Sequence, residues 1–278
     1  MRTTIVTREA AAVLTLALAG TLASVVTPPV AAGDLDVPQR SGALERAEAE
    51  AAQMIEGRLL DLISEQIEPA EARRMVEAEQ VQAAAKTRAR LLELKSQGLS
   101  IREIAESTPG MIVVSAPAEG NSPLSSGSDV SLTSPSIVFT MQCACYTVEG
   151  EWEWDISEQE TGNDGAGLRM TKTINNMGGS ALVCDLVTGC DAFSFATWED
   201  PQGVVHKYST RAGDFGLVSF SFKKISGGCH QAYMHYAHAW QGDYELVSVN
   251  ISTGGIGFTF EQPGHKWTRQ IAGGTTGC

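Results

Sequence analysis

The chain has 278 residues, with 33 acidic against 20 basic side chains and a formal net charge of −13. That balance argues against nucleic acid as a partner, because affinity for a phosphate backbone comes from clustered Lys and Arg that release counterions. It also disfavours docking on anionic lipid, and an acidic excess of this size reads as a solubility feature.

The first segment has the layout of a secretory signal peptide. Met1-Arg2 and Arg8 supply a basic start, residues 10–27 are uncharged and mostly apolar, and Val30-Ala31-Ala32 places small residues where a signal peptidase cuts. We expect a leader over 1–32, a secreted mature chain and no membrane insertion of that chain. Gly20 and Pro28-Pro29 leave the apolar run short for a span of about 20 residues.

The eight Phe, five Tyr and five Trp all lie at or after Phe139, as do all six Cys and all five His. Segregation this complete predicts two regions of different architecture, helical first and β second. Over 41–108, Leu44, Ala47, Ala51, Met54, Ile55, Leu59, Leu62 and Ile67 recur at steps of three and four, which predicts an amphipathic helix. Pro69 suits the first turn of a second helix, Gly98 its left-handed end, and Ser100 with Glu103 the capping box of a short third. A core of Ala, Leu and Met without aromatics predicts a helical hairpin or coiled-coil stalk, stabilised by self-association or by packing on the β region. The run Gly98–Ala105 resembles the opening of a DNA-binding helix-turn-helix, but Pro109-Gly110 follows where a recognition helix is required. Residues 109–137 are rich in Ser, Pro and Gly and predict a flexible linker.

After residue 137 the period becomes two. Trp152, Trp154 and Ile156 alternate with Glu151, Glu153 and Asp155, and Val218, Phe220 and Phe222 with Leu217, Ser219 and Ser221. Tyr244 to Ile251, the Gly254-Gly255 turn and Ile256 to Phe260 read as a hairpin. Residues 138–278 are therefore expected to form an all-β sandwich. Six cysteines in an exported chain imply three disulfides, each stabilising by about 2–4 kcal/mol. Cys184 and Cys190 are close enough to staple their own loop. Cys143 and Cys145, on one strand face, are expected to reach Cys229 and Cys278. Metal binding by Cys143-Ala144-Cys145 is the rival reading, but no matched second pair accompanies it.

The order Cys184, Trp198, Cys229 resembles the cysteine–tryptophan–cysteine spacing of immunoglobulin-type sandwiches, although Gly227 stands where their tyrosine is expected. The segment from Tyr233-Met234-His235 through Trp240 and Gly254-Gly255 to Trp267 is similar to uncharacterised secreted immunoglobulin-like β-sandwich proteins of Gram-positive bacteria. The resemblance implies the fold and no activity.

Three candidate sites follow. His230, His235 and His238 could ligate a metal, but on a strand His235 faces away from the other two, and no H-E-x-x-H occurs; no cofactor is expected. Ser226-Gly227-Gly228-Cys229 resembles the S-x-G-C core of the L,D-transpeptidases, which implies Cys229 as nucleophile and His206 as base of a cell-wall enzyme with a helical propeptide. His230-Gln231 departs from that family's pattern, and the cysteine would have to be a free thiol. Trp152 and Trp154, if solvent-facing, could stack on a sugar or anchor a partner. The leading expectation is a secreted, non-enzymatic binding or envelope-associated module for an extracellular protein or glycan.

Overall fold

The computed structural model describes residues 42–117, 130–154, 162–185, 189–210, 214–225, 227–240, 245–261 and 266–276. The expected leader and Cys278 lie outside them. Helices occupy the N-terminal part: α1 Gly42–Ser64, α2 Pro69–Ser96 and α3 Ile101–Ser107. Their ends follow the local chemistry. The Glu68 carboxylate caps α2 by accepting from Ala70 N at 2.8 Å and Glu71 N at 3.3 Å, with Pro69 in the first turn. Gly98 leaves α2 at φ +83°, a conformation that a Cβ opposes. Ser100 and Glu103 close the expected capping box of α3.

α1 and α2 form a hairpin, but not a coiled coil standing clear of the sheet. Leu44, Ala47 and Ala51 of α1 join the main core, and Leu91, Leu92 and Leu94 of α2 pack on Leu182 and Leu217. Leu62 with Ala72 and Val76 make the hairpin's own small core. The helices bury their stripe on β-structure because two helices with so few large side chains cannot cover one another.

The β region contains β1 Met111–Ser115, β2 Val130–Leu132, β3 Ser136–Thr140, β4 Cys145–Trp154, β5 Gly162–Met170, β6 Ile174–Asp185 and β7 Gly189–Phe193. It continues with β8 Trp198–Asp200, β9 Gly203–Thr210, β10 Phe215–Lys224, β11 His230–Trp240, β12 Leu246–Ser252, β13 Gly255–Phe260 and β14 Lys266–Thr276. A seven-stranded sheet runs β1-β3-β4-β10-β6-β7, with β2 also on β4; a five-stranded sheet runs β14-β11-β5-β9-β8; β12 and β13 pair separately. The stretch expected to be linker is sheet at both ends, since β1 pairs antiparallel with β3 and β2 with β4. Met111-Ile112-Val113-Val114 is a strand-forming run that the surrounding Ser and Pro content had outweighed. Residues 118–129 lie outside the described residues.

The layers stack as helices, seven-stranded sheet, five-stranded sheet and β12–β13 hairpin. The main core fills the space between the two sheets with Val148, Trp152, Trp154, Phe220, Phe222, Leu168, Val204, Met234 and Tyr236. Gly216, opposite Trp152 in register, leaves room for the indole: a Cβ there would meet the ring at 2.6 Å. On its outer side the five-stranded sheet packs Val205, Ala237 and Ala239 against Leu246, Ile251, Ile256, Phe258 and Phe260 of the hairpin.

Cys184 and Cys190 are bonded, facing each other in the β6–β7 register. Cys143 and Cys145 bond to each other, not to distant partners. The chain turns just before β4 begins: Met141–Cys143 is a 3-10 turn and Ala144 is left-handed at φ 45°, which brings the Cys143 side chain to that of Cys145. The immunoglobulin-type pin is thus not made. Cys184 is taken by Cys190, and Trp198 sits half-buried on β8, at the edge of the five-stranded sheet.

Candidate functional site

The outward face of β4 carries Thr147, Glu149, Glu151 and Glu153 towards the helices, while Tyr146, Val148, Trp152 and Trp154 face the core. α2 crosses the outer side of the seven-stranded sheet, with Gln80 meeting Lys223 of β10, Arg88 meeting β6 and Lys95 meeting β4. Arg88 is buried; its Nε donates to Ser180 Oγ at 3.1 Å and its Nη1 to Met177 O at 3.1 Å. Burial pushes its pKa down to about 10, opposed by Glu199. Thr147 and Ser221 hydroxyls meet at 2.9 Å beneath the helix.

At the end of α2 this interface opens into a cleft of about 360 Å³. Lys95, Ser96, Gly98 and Leu99 form one wall; Ser131, Thr133, Glu151 and Glu153 with Phe215, Gly216 and Leu217 form the floor and the other. Pairing of β10 with β4 sets Phe215 opposite Glu153 and Leu217 opposite Glu151. Phe215 is 39% exposed at the edge of this cleft.

Lys95 Nζ pairs with Glu151 Oε1 and stands 4.0 Å from Glu149 Oε1. Glu149 is buried, and its Oε2 has no hydrogen-bond partner. Burial pushes its carboxyl up to about 7; Lys95 opposes the shift and the neighbouring Glu151 carboxylate adds to it. Burial lowers the Lys95 ammonium, but Glu149 and Glu151 outweigh it and hold the group above its ordinary value. The cleft thus sets the Lys95 cation against Glu151, with the buried Glu149 carboxyl behind them.

Of the anticipated site residues, Trp152 borders the cleft and the others do not line it. Trp152 and Trp154 are 2% exposed and belong to the core, so neither ring can stack on a ligand. Trp154 Nε1 donates to Tyr236 Oη at 2.7 Å, and Tyr236 Oη donates to Asp164 Oδ2 at 2.7 Å. His238 Nδ1 pairs with the other oxygen of the same carboxylate. Burial, reinforced by Asp164, raises the Tyr236 phenol well above its ordinary value.

His235 accepts from Arg169 Nε at 2.9 Å, and burial with Arg169 pushes its pKa down to about 3. His230 is buried at the start of β11. The three histidines do not converge, and no group of three or more His, Cys, Asp or Glu side chains among the described residues could hold a metal. Cys229 is disulfide-bonded and carries no thiolate. His206 is buried and its pKa is lowered to about 4, chiefly by burial and then by Arg88.

Sequence reading missed Lys95, Glu149 and Phe215. The alternation of Thr147, Glu149, Glu151 and Glu153 was a visible signal. The alternation by itself does not show that a helix end covers Glu149.

No protein-family model and no curated protein matches the sequence. Among solved structures, Clostridium perfringens delta-toxin is similar at 7% identity and a TM-score of 0.27, over 60% of this chain and 94% of that one. A Streptococcus parasanguinis Fap1 structure, described under pH-induced modulation of adhesion by Fap1 fimbriae, is similar at 11% identity and a TM-score of 0.24, over 59% and 90%. Likenesses this low assign no activity. No helix among the described residues is long and apolar enough to cross a membrane.

Proposed function

We propose that this is a secreted, non-enzymatic binding module that takes a segment of an extracellular glycan in the cleft at the end of α2. The observation that carries the reading is the composition of that cleft: an exposed Phe215 ring beside Lys95, Glu151 and Glu153. A sugar ring offers an apolar face to an aromatic side chain and hydroxyls to flanking carboxylates and an ammonium, and a few convergent polar groups beside apolar surface are the usual make-up of a ligand site. The leader-like segment over 1–32 and the disulfides support an extracellular setting. A glycan array probed with the disulfide-intact chain tests the proposal. Binding to oligosaccharides that Phe215→Ala abolishes while thermal unfolding is unchanged is the expected result. Capture of a protein partner with an empty array, or turnover of an arrayed glycan, refutes it.

A further inference from the structure

The end of α2 sets one ammonium between two carboxyl groups of very different exposure. Glu149 and Glu151 stand two residues apart on β4 and share its outward face. The Glu149 side chain is 4% exposed, whereas that of Glu151 is 35% exposed and lines the cleft. Lys95 is itself nearly enclosed, with these two groups as its charged partners. Its Nζ pairs with Glu151 and keeps 4.0 Å from Glu149.

The surroundings of Glu149 make its charge the variable in this arrangement. Lys95 from α2 and Glu151 from its own strand are the charged groups that act on it. The neighbouring strands bring Ser136 of β3 and Ser219 of β10, each opposite Glu149 in register. Its Oε2 has no hydrogen-bond partner. A carboxylate enclosed in this way is costly, and the cation beside it is committed to Glu151, so the group keeps its proton well above the ordinary carboxyl range. Its titration falls at about 7. Once ionised, Glu149 competes with Glu151 for the same ammonium. A shift of about 1.2 Å takes Lys95 Nζ from 4.0 Å to the ~2.8 Å of a charge-assisted hydrogen bond.

We propose that Glu149 is a pH switch for the cleft, setting whether Glu151 is open to a ligand. With Glu149 protonated, Lys95 stays on Glu151 and occupies that carboxylate. With Glu149 ionised, Lys95 is drawn inward and Glu151 is released to accept hydrogen bonds from ligand hydroxyls. Ligand affinity therefore rises as pH increases through about 7. The switch rests on the reading of the cleft as a ligand site and adds its regulation.

Carboxyl-carbon NMR of the disulfide-intact, glutamate-labelled chain, titrated from pH 5 to 9 without ligand, tests the switch. The Glu149 signal should titrate near pH 7, and the signals of Glu151 and of the Lys95 ε-carbon should step at the same midpoint. Glu149→Gln, close to it in shape, should abolish both steps. Lys95→Gln should abolish the step at Glu151 while Glu149 still titrates. Affinity for the tightest-binding oligosaccharide of the glycan array should rise by about threefold or more from pH 5.5 to 8, and stay flat in Glu149→Gln. The proposal is overturned if Glu151 or Lys95 shows no step near pH 7, or if the Glu151 step persists without Lys95. Equal affinity at the two pH values also overturns it. An array that binds nothing refutes the reading of the cleft instead, and the ligand-free titration still decides whether Lys95 changes partner.

Discussion

Lys95 and Glu149 meet beneath the last turn of α2, the ammonium 4.0 Å from the buried carboxyl, and this contact fastens the helical layer to β4. Both side chains are nearly enclosed, 13% and 4% exposed. Removing one member of an enclosed pair leaves the other without compensation, typically costing about 3–5 kcal/mol. Lys95→Met should therefore destabilise the chain by about 3 kcal/mol at pH 8, where Glu149 is ionised. The loss should be smaller at pH 5, where the carboxyl is protonated. Urea denaturation of the variant at the two pH values checks this.

The Glu149 carboxyl also sets a pH dependence. Its pKa in the fold is about 7, against an ordinary 4.5. Between those values the native chain binds the proton more tightly than the unfolded chain. Stability from this group is complete below 4.5 and is lost as pH rises through 7, with a slope approaching ~1.4 kcal/mol per pH unit. Glu149→Gln should remove that decline. Equal slopes for the variant and the unaltered chain between pH 5 and 7 would show that the carboxyl is not enclosed as described.

Acid acts in the opposite sense through two histidines. His206 and His235 are held neutral in the fold, with pKa values lowered to about 4 and about 3 from 6.5. Below 6.5 the unfolded chain takes up protons that the native chain refuses, so stability falls as pH drops through 4 and 3. His206→Gln should flatten the stability curve between pH 6 and 4, by up to ~1.4 kcal/mol per pH unit.

Much of this was legible in the sequence. Pro69, Gly98 and the Ser100–Glu103 pair fix the helix ends through purely local chemistry, and structure follows them. The alternation around Trp152 and Trp154 marks a strand with one apolar face for the same reason. Longer-range relationships were not legible. That Cys143 meets Cys145 depends on left-handed Ala144, a conformation that alanine seldom adopts. Burial of Glu149 depends on which sheet face α2 covers, and no periodicity within α2 or β4 reports that docking. Nothing in the sequence around Phe215 sets it apart from other strand aromatics; its place at the cleft, where helix cover ends, does.

The two described disulfides close very short loops, which limits what they contribute. With separations of 2 and 6 residues, the loop-entropy estimate gives about 1.5 and about 2.5 kcal/mol. Cys143→Ser with Cys145→Ser should lower stability by about 1.5 kcal/mol, and somewhat further because the serine hydroxyls would be buried beneath Ala84 and Met177. Non-reducing peptide mapping should recover Cys143 and Cys145 linked within one peptide. A link from either to Cys229 would contradict the turn at Ala144.

The cleft as a recognition surface is tested most directly by hydrogen-exchange mass spectrometry of the disulfide-intact chain. It should be run with and without a saturating amount of the tightest-binding oligosaccharide from the array. Protection concentrated in 95–99, 131–133 and 215–217 is the predicted result. Protection that bypasses those segments, or none at a concentration where binding is saturated, would contradict the account.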